Sequence, residues 1–313
     1  MDDGIAGAQS AGEHRRASFD ARLLSGSGGG VLVLGGYGRE RWLELWSEES
    51  SSQCQVLNPG RVGHAAAALN STDILISGGR DLARSATSLF HLADNSEEAL
   101  PILPEPRTGH GASSLDGGCV IGGGWTGLDS AQASCLFWRA WGEGEAAGCW
   151  VALGPMREAR GGFAMVSDGR GGVLAAGGAR RQFWGRLASA ERYDAGCDRW
   201  LGLPRMSKAR KDAAGALHEG RFFVSGGSTS AVTFSGSVEA LDPREGGWER
   251  MASMGKKRWR HCLASCGQGL YALGGDESGE KTSVEAYDAR AGRWRLCERR
   301  LELQCWLSVA IPV

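Results

Sequence analysis

The chain has 313 residues, 42% hydrophobic and 23% charged, long enough to bury a large core in one or two domains. Its 35 basic residues stand against 36 acidic ones, a formal charge of −1 that carries no basic footprint for nucleic acid or for an anionic membrane. Neither an apolar run near the roughly 20 residues that span a bilayer nor a Gly-X-Y period is present, which excludes a membrane helix and a collagen.

Residues 1–28 read as a flexible leader rich in Gly, Ala and Ser, with no apolar stretch of signal-peptide length. The first apolar run, "VLVLGG" at residues 31–36, ends in two glycines and raises the question of a phosphate-binding loop. Such a loop needs a following lysine and Ser/Thr, or a GxGxxG that opens a helix; "GGYGRERW" supplies neither. The run recurs instead, as "DILISGG", "CVIGGG", "VLAAGG", "FFVSGG" and "LYALGG". The reference glycines are Gly35, Gly78, Gly123, Gly177, Gly226 and Gly274, spaced by 43, 45, 54, 49 and 48 residues. Paired glycines at the end of a strand permit positive φ and close backbone approach, so they are expected to turn the chain.

Other residues keep the same period. Tyr193 precedes Trp200 by seven and Tyr287 precedes Trp294 by seven, and Leu241 stands in the tyrosine place before Trp248. Trp150, Trp200 and Trp248 each precede an arginine by ten: Arg160, Arg210 and Arg258. Phe90, Glu97 and Arg107 fit the same ruler, the first copy keeps only Arg61, and the last has Gln304 in the arginine place. Nine cysteines are scattered without a CxxC pair and read as reduced thiols; Cys262 and Cys266 read as small buried hydrophobes in a strand.

The double glycines, the "YD" of Tyr193-Asp194 and Tyr287-Asp288, the spaced tryptophans and the "RxGH" of "RVGH" and "RTGH" together resemble the kelch repeat family over about residues 30–313. A period near 50 residues is that of a kelch blade. The resemblance implies an all-β fold: a six-bladed kelch β-propeller of four-stranded antiparallel blades. Domain organisation is then a leader at 1–28 and a propeller at 29–313. The fourth copy reads independently as four short strands, "GGFAMVS", "GGVLAAGG", "SAERYD" and "DRWLGL". One such sheet has two apolar faces and needs neighbours to cover them. The repeated tryptophans are expected to pack between blades. The tail "QCWLSVAIPV" aligns with first strands of other copies and is expected to close the ring beside residues 31–34, in preference to "FDARLLS". No BTB or F-box segment is visible, and an insertion at residues 137–150 lengthens the turn between the third and fourth strands of its blade.

The periodic arginines, Arg61, Arg107, Arg160, Arg210 and Arg258, lie where one blade passes to the next. They have two uses: hydrogen bonds to the neighbouring turn's carbonyls, or contact with a ligand at the mouth of the channel. In kelch substrate adaptors, arginines at this turn and just beyond contact acidic peptides, which the resemblance carries onto Arg258 and Arg260, and more weakly onto Lys211. The guanidinium fork suits carboxylates. The loop after the fourth double glycine adds Arg180, Arg181, Phe183, Trp184 and Arg186, types enriched among interface anchors. With Arg210 these residues form the expected recognition face for a protein or peptide partner carrying an acidic segment.

His64, His110 and His261 each follow an arginine by three, and they read as repeat positions before they read as a metal set. No GxSxG or HExxH occurs, and no cofactor is expected. The reading is a non-catalytic binding module, cytoplasmic with the nucleus left open. The alternatives are a sugar-isomerising, epimerase-like enzyme, for which Glu191, Asp276 and His261 are the candidates, and an actin or filament scaffold.

Overall fold

A computed structural model describes residues 30–34, 42–55, 60–80, 83–127, 130–139, 148–275, 282–302 and 309–312. The leader expected at 1–28 lies outside them. Short apolar runs punctuated by positive-φ glycines give antiparallel meanders, and the fold is an all-β propeller of four-stranded blades. Five blades are continuous chain segments. The first comprises β4 (Ala65–Ala68), β5 (Asp73–Ser77), β6 (Thr87–His91) and β7 (Ser96–Leu100). The second runs through β8 (Gly111–Leu115), β9 (Gly118–Gly122), β10 (Cys135–Arg139) and β11 (Cys149–Leu153). The third has β12 (Ala164–Ser167), β13 (Gly172–Ala176), β14 (Ala190–Asp194) and β15 (Arg199–Leu203), the four strands read from the sequence. Then come β16 (Ala214–His218), β17 (Arg221–Ser225), β18 (Val238–Leu241) and β19 (Trp248–Met251), and β20 (Cys262–Cys266), β21 (Gly269–Leu273), β22 (Val284–Asp288) and β23 (Arg293–Leu296). A further four-stranded sheet joins the two ends of the chain. Its order is β24 (Val309–Pro312), β1 (Val31–Leu34), β2 (Trp42–Trp46), β3 (Ser51–Gln55), with Val31 opposite Pro312.

Burial grades across each blade. All of β13 is buried, whereas only Trp200 is buried in β15. Second strands are covered on both faces and so carry continuous apolar sequence; fourth strands form the wet outer edge. The core lies between blades. Leu174 and Ala176 of one blade pack on Phe222, Val224 and Leu241 of the next, and Leu32 and Leu34 pack on Ile74, Ile76 and Phe90.

The tryptophans depart from a uniform core role. Trp200 is buried among Leu115, Val120 and Cys135 of the preceding blade. Trp150, Trp248 and Trp294 are half-buried on the outer strands. Their indole N–H groups donate backwards to Pro101, Pro204 and Ala252 carbonyls at 3.1, 2.8 and 3.0 Å, so they tie neighbouring blades together by a polar tip as well as by area. Cys262 and Cys266 are buried in β20, and neither they nor Cys119, Cys135, Cys149, Cys197 and Cys297 form a disulfide. The insertion contributes ladder pairs Trp138–Trp150 and Arg139–Cys149; residues 140–147 lie outside the described part. No helix among the described residues is long and apolar enough to cross a membrane.

Candidate functional site

Five linkers, those before β4, β8, β12, β16 and β20, each carry one of the periodic arginines, and their geometry answers what the paired glycines do. The second glycine of a blade donates its N–H to the carbonyl of the following arginine: Gly79 to Arg107 at 3.1 Å, Gly124 to Arg160 at 2.9 Å, Gly178 to Arg210 and Gly227 to Arg258 at 2.8 Å. The guanidinium then turns into its own blade and donates to the first glycine's carbonyl, as Arg160 does to Gly177 at 2.7 Å and Arg210 to Gly226 at 2.8 Å. In Arg160, Arg210 and Arg258 it also reaches a serine and a glutamate at the start of the third strand. Arg160, Arg210 and Arg258 pair with Glu191, Glu239 and Glu285 at 2.5, 2.7 and 2.9 Å. The glutamates accept backbone N–H groups from the linker as well, such as those of Arg157, Ser207 and Gly255.

This corrects two expected members of the recognition face. Arg210 and Arg258 are fully buried, with side chains 0% exposed, and their forks are spent on blade carbonyls and carboxylates. Desolvation lowers the Arg210 pKa, and Glu239 opposes that shift. Glu239 and Glu285 were missed in the sequence reading, and Glu191 entered it only as a candidate of the enzyme alternative. Their signal is the Ser-x-Glu of "SAE" and the two "SVE" triplets, each at the start of a third strand.

Two residues beyond each arginine the backbone forms a belt. Gly109 N–H donates to Gly63 O at 2.8 Å, Gly162 to Gly109 at 2.8 Å, Asp212 to Gly162 at 2.7 Å and Arg260 to Asp212 at 2.9 Å. All five take positive φ. These residues line a cavity of about 130 Å³ together with Thr108, Trp125 and Gln182; it is the mouth of the propeller.

A hairpin over residues 179–186 stands at its rim. Ala179 bridges Arg186, and Arg180 N–H donates to Gly185 O at 3.0 Å. Phe183 and Trp184 at its tip are 68% and 70% exposed. Arg180 is exposed and pairs with Glu158 at 3.2 Å, and Arg181 is exposed. Arg186 is half-buried and works inward: its Nη2 donates to Ser230 O at 2.6 Å and to Ser228 Oγ at 3.0 Å, which pins the hairpin to the next blade's loop. Lys211 is buried and also pins it, donating to the Gln182 carbonyl and lying 5.5 Å from the Trp125 ring centroid. Desolvation lowers the Lys211 pKa, with Asp212 acting in the opposite sense. Arg260 pairs with Asp212 at 3.2 Å and lies over Trp259 at 4.4 Å. The structure thus brings Arg180, Arg181, Phe183, Trp184, Arg186, Lys211 and Arg260 to one side of the mouth.

The histidines are wedges between blades. His110 Nε2 meets Ser77 Oγ at 2.9 Å, and His261 Nε2 meets Ser225 Oγ at 2.8 Å. Burial, reinforced by Arg61 and Arg258 respectively, brings the pKa of His64 and of His261 down to about 3. No group of three or more His, Cys, Asp or Glu able to hold a metal occurs among the described residues. Of the enzyme candidates, Glu191 is held by Arg160 and two linker N–H groups, His261 lies in another blade, and Asp276 falls outside the described residues.

A profile of the kelch motif matches residues 209–255, the stretch that holds Arg210, Asp212 and the Gly226–Gly227 pair. Kelch-like protein 36 of Bos taurus is 29% identical over 207 residues, covering 61% of this chain and 32% of its own length. Kelch-like protein 34 of Homo sapiens is 31% identical over 154 residues, 46% of this chain and 23% of its own. Spermatocyte protein spe-26 of Caenorhabditis elegans is 26% identical over 234 residues, 71% and 40%. The chain spans well under half the length of these curated relatives. The solved structure of YjhT superposes with a TM-score of 0.67 at 14% identity, over 80% of this chain and 86% of that one, a likeness of fold.

Proposed function

We propose that this chain, which belongs to the kelch repeat family, is a non-catalytic binding module whose hairpin side of the mouth takes a protein partner carrying an acidic segment. The observation that carries this reading is the tip of the 179–186 hairpin, where exposed Phe183 and Trp184 adjoin the exposed Arg180 and Arg181. Monomer surfaces rarely leave two adjacent large aromatics in water, and aromatic and arginine side chains are the usual anchors of interfaces. Arg186 and Lys211 hold the hairpin in place before a partner arrives, which lowers the ordering cost of binding. The Kelch-like relatives make an adaptor role a natural setting for such a surface.

The scaffold reading that goes with it is a ring of six blades, the chain-end sheet being the sixth and β24 its closing strand. Two observations support it. The first strands touch in the order β4, β8, β12, β16, β20, β24, and β24 touches β4. Glu44 also accepts the Glu302 N–H at 2.8 Å, the bond that Glu191 takes from the Arg157 N–H at 2.7 Å. A cytoplasmic setting suits these seven cysteines outside any disulfide, five of them buried.

The test is affinity purification from cell extract with the wild type and an Arg181→Glu/Trp184→Ala variant. Both residues are exposed, so the variant is expected to fold normally and to lose its partners. Identical partner recovery contradicts the reading.

A further inference from the structure

The belt at the mouth has five described members, and three of them are glycine at φ 61° to 66°. The other two, Asp212 at φ 54° and Arg260 at φ 55°, are neighbours in the belt. A side chain in the left-handed region is disfavoured, least for Asp and more for Arg, and such outliers concentrate at functional sites. Here the two strained side chains carry opposite charge and meet over the mouth. Asp212 Oδ2 lies 3.2 Å from Arg260 Nε and 3.6 Å from Lys211 Nζ. Its Oδ1 lies against Gly162, where an added Cβ would come within 2.4 Å of it. The cations are held in turn: Lys211 by the Gln182 carbonyl, and Arg260 by Trp259, which stacks on Phe234 at 4.4 Å. A carboxylate thus sits between two preorganised cations in a cavity of about 130 Å³.

We infer that Asp212 is a built-in carboxylate that fills the Lys211–Arg260 cation pair and sets the ligand specificity of the mouth, so that an acidic side chain of a partner binds there only in competition with it. The inference rests on the acidic-segment reading above and names the residue that tunes it. Two carboxylates on one cation pair repel each other, and an Arg fork already engaged offers fewer donors. A segment with a single acid is therefore disfavoured. One with several acids meets Arg180 and Arg181 on the hairpin and displaces Asp212 inside.

The test uses fluorescein-labelled tetraglutamate and fluorescence anisotropy at low salt. The proteins are the wild type, Asp212→Gly, Asp212→Asn, Asp212→Gly/Arg260→Gln and Arg181→Glu. Glycine accepts the belt conformation without strain, and the near-isosteric Asn keeps the test valid if the glycine variant misfolds. Removing the like charge is expected to tighten tetraglutamate binding about tenfold or more in both single variants, with the gain abolished when Arg260 is also replaced. A purely structural role for Asp212 would change the melt and not the affinity. If Asp212→Gly and Asp212→Asn bind no tighter than a wild type that Arg181→Glu weakens, the inference fails and the acidic-segment reading stands. The inference also fails if the gain persists without Arg260. If no protein in the series binds, both fail together.

Discussion

Arg210 and Glu239 form an ion pair of 2.7 Å with side chains 0% and 3% exposed, and Arg160–Glu191 and Arg258–Glu285 repeat it in the flanking blades. The pair fastens a linker to the inside of a blade. Its arginine carbonyl meanwhile receives the Gly178 N–H of the blade before, so one residue couples two blades. Removal of either partner leaves an uncompensated buried charge, which costs about 3–5 kcal/mol. Arg210→Ala and Glu239→Ala are each expected to lose that much in urea unfolding, and the double variant much less than their sum. Single-variant losses of only a few tenths of a kcal/mol contradict the coupling role.

The glycines make a matched comparison. Gly226 has φ 63°, and a Cβ there would come 2.5 Å from the Arg258 carbonyl; Gly220 has φ 75° with nothing within 4 Å. Gly220→Ala is expected to cost about 1 kcal/mol, the conformational term alone. Gly226→Ala adds displacement of the next blade's linker and is expected to cost about 2 kcal/mol or more beyond that, the range of overpacking. Equal losses at the two sites refute a blade-junction role for the first glycine.

Acid is expected to loosen the ring through its histidine wedges. The folded pKa of His261 is about 3 against 6.5 for the free group, so folding favours the neutral form. Its contribution is fully present above pH 6.5 and is lost as pH falls towards 3, at up to about 1.4 kcal/mol per pH unit for each such histidine. His64 acts in the same direction over the same window. Unfolding free energy measured between pH 6.5 and 4.5 is expected to fall, and His261→Gln is expected to flatten the slope by one proton. A slope that His261→Gln leaves unchanged contradicts this.

Removal of residues 309–313 is expected to expose the β1 edge together with Val31 and Val33, which pack among Cys262, Ala264 and Leu273. Loss of a soluble product, or of the cooperative thermal transition, supports β24 as the closing strand. A soluble variant with an unchanged melt overturns it.

Strands were readable where local pattern decides them. "GGVLAAGG" is apolar throughout because β13 is covered on both faces, and its paired glycines mark its end. The linker arginines were located correctly by their period but assigned a face that two of them do not have. Spacing fixes where along the repeat a side chain starts, and the direction it takes depends on Glu239 and Glu285, about 30 residues on, at separations of 29 and 27. The belt was partly written in the "RxG" of three linkers, with Asp212 and Arg260 in the glycine place of the next two. That Asp212 and Arg260 meet is a consequence of how two adjacent blades pack and not of any local pattern. The inward work of Arg186 and Lys211 likewise depends on loops of adjacent blades that only the assembled ring brings together.

The central claim is that a partner docks on the hairpin side of the mouth. Hydrogen–deuterium exchange of the chain alone and with a partner recovered from extract tests it most directly. The account predicts new protection over residues 179–186 and 228–234, and none at the far-end turns around Asp168 and Asp242. Protection at those far-end turns with no change in the hairpin would contradict it.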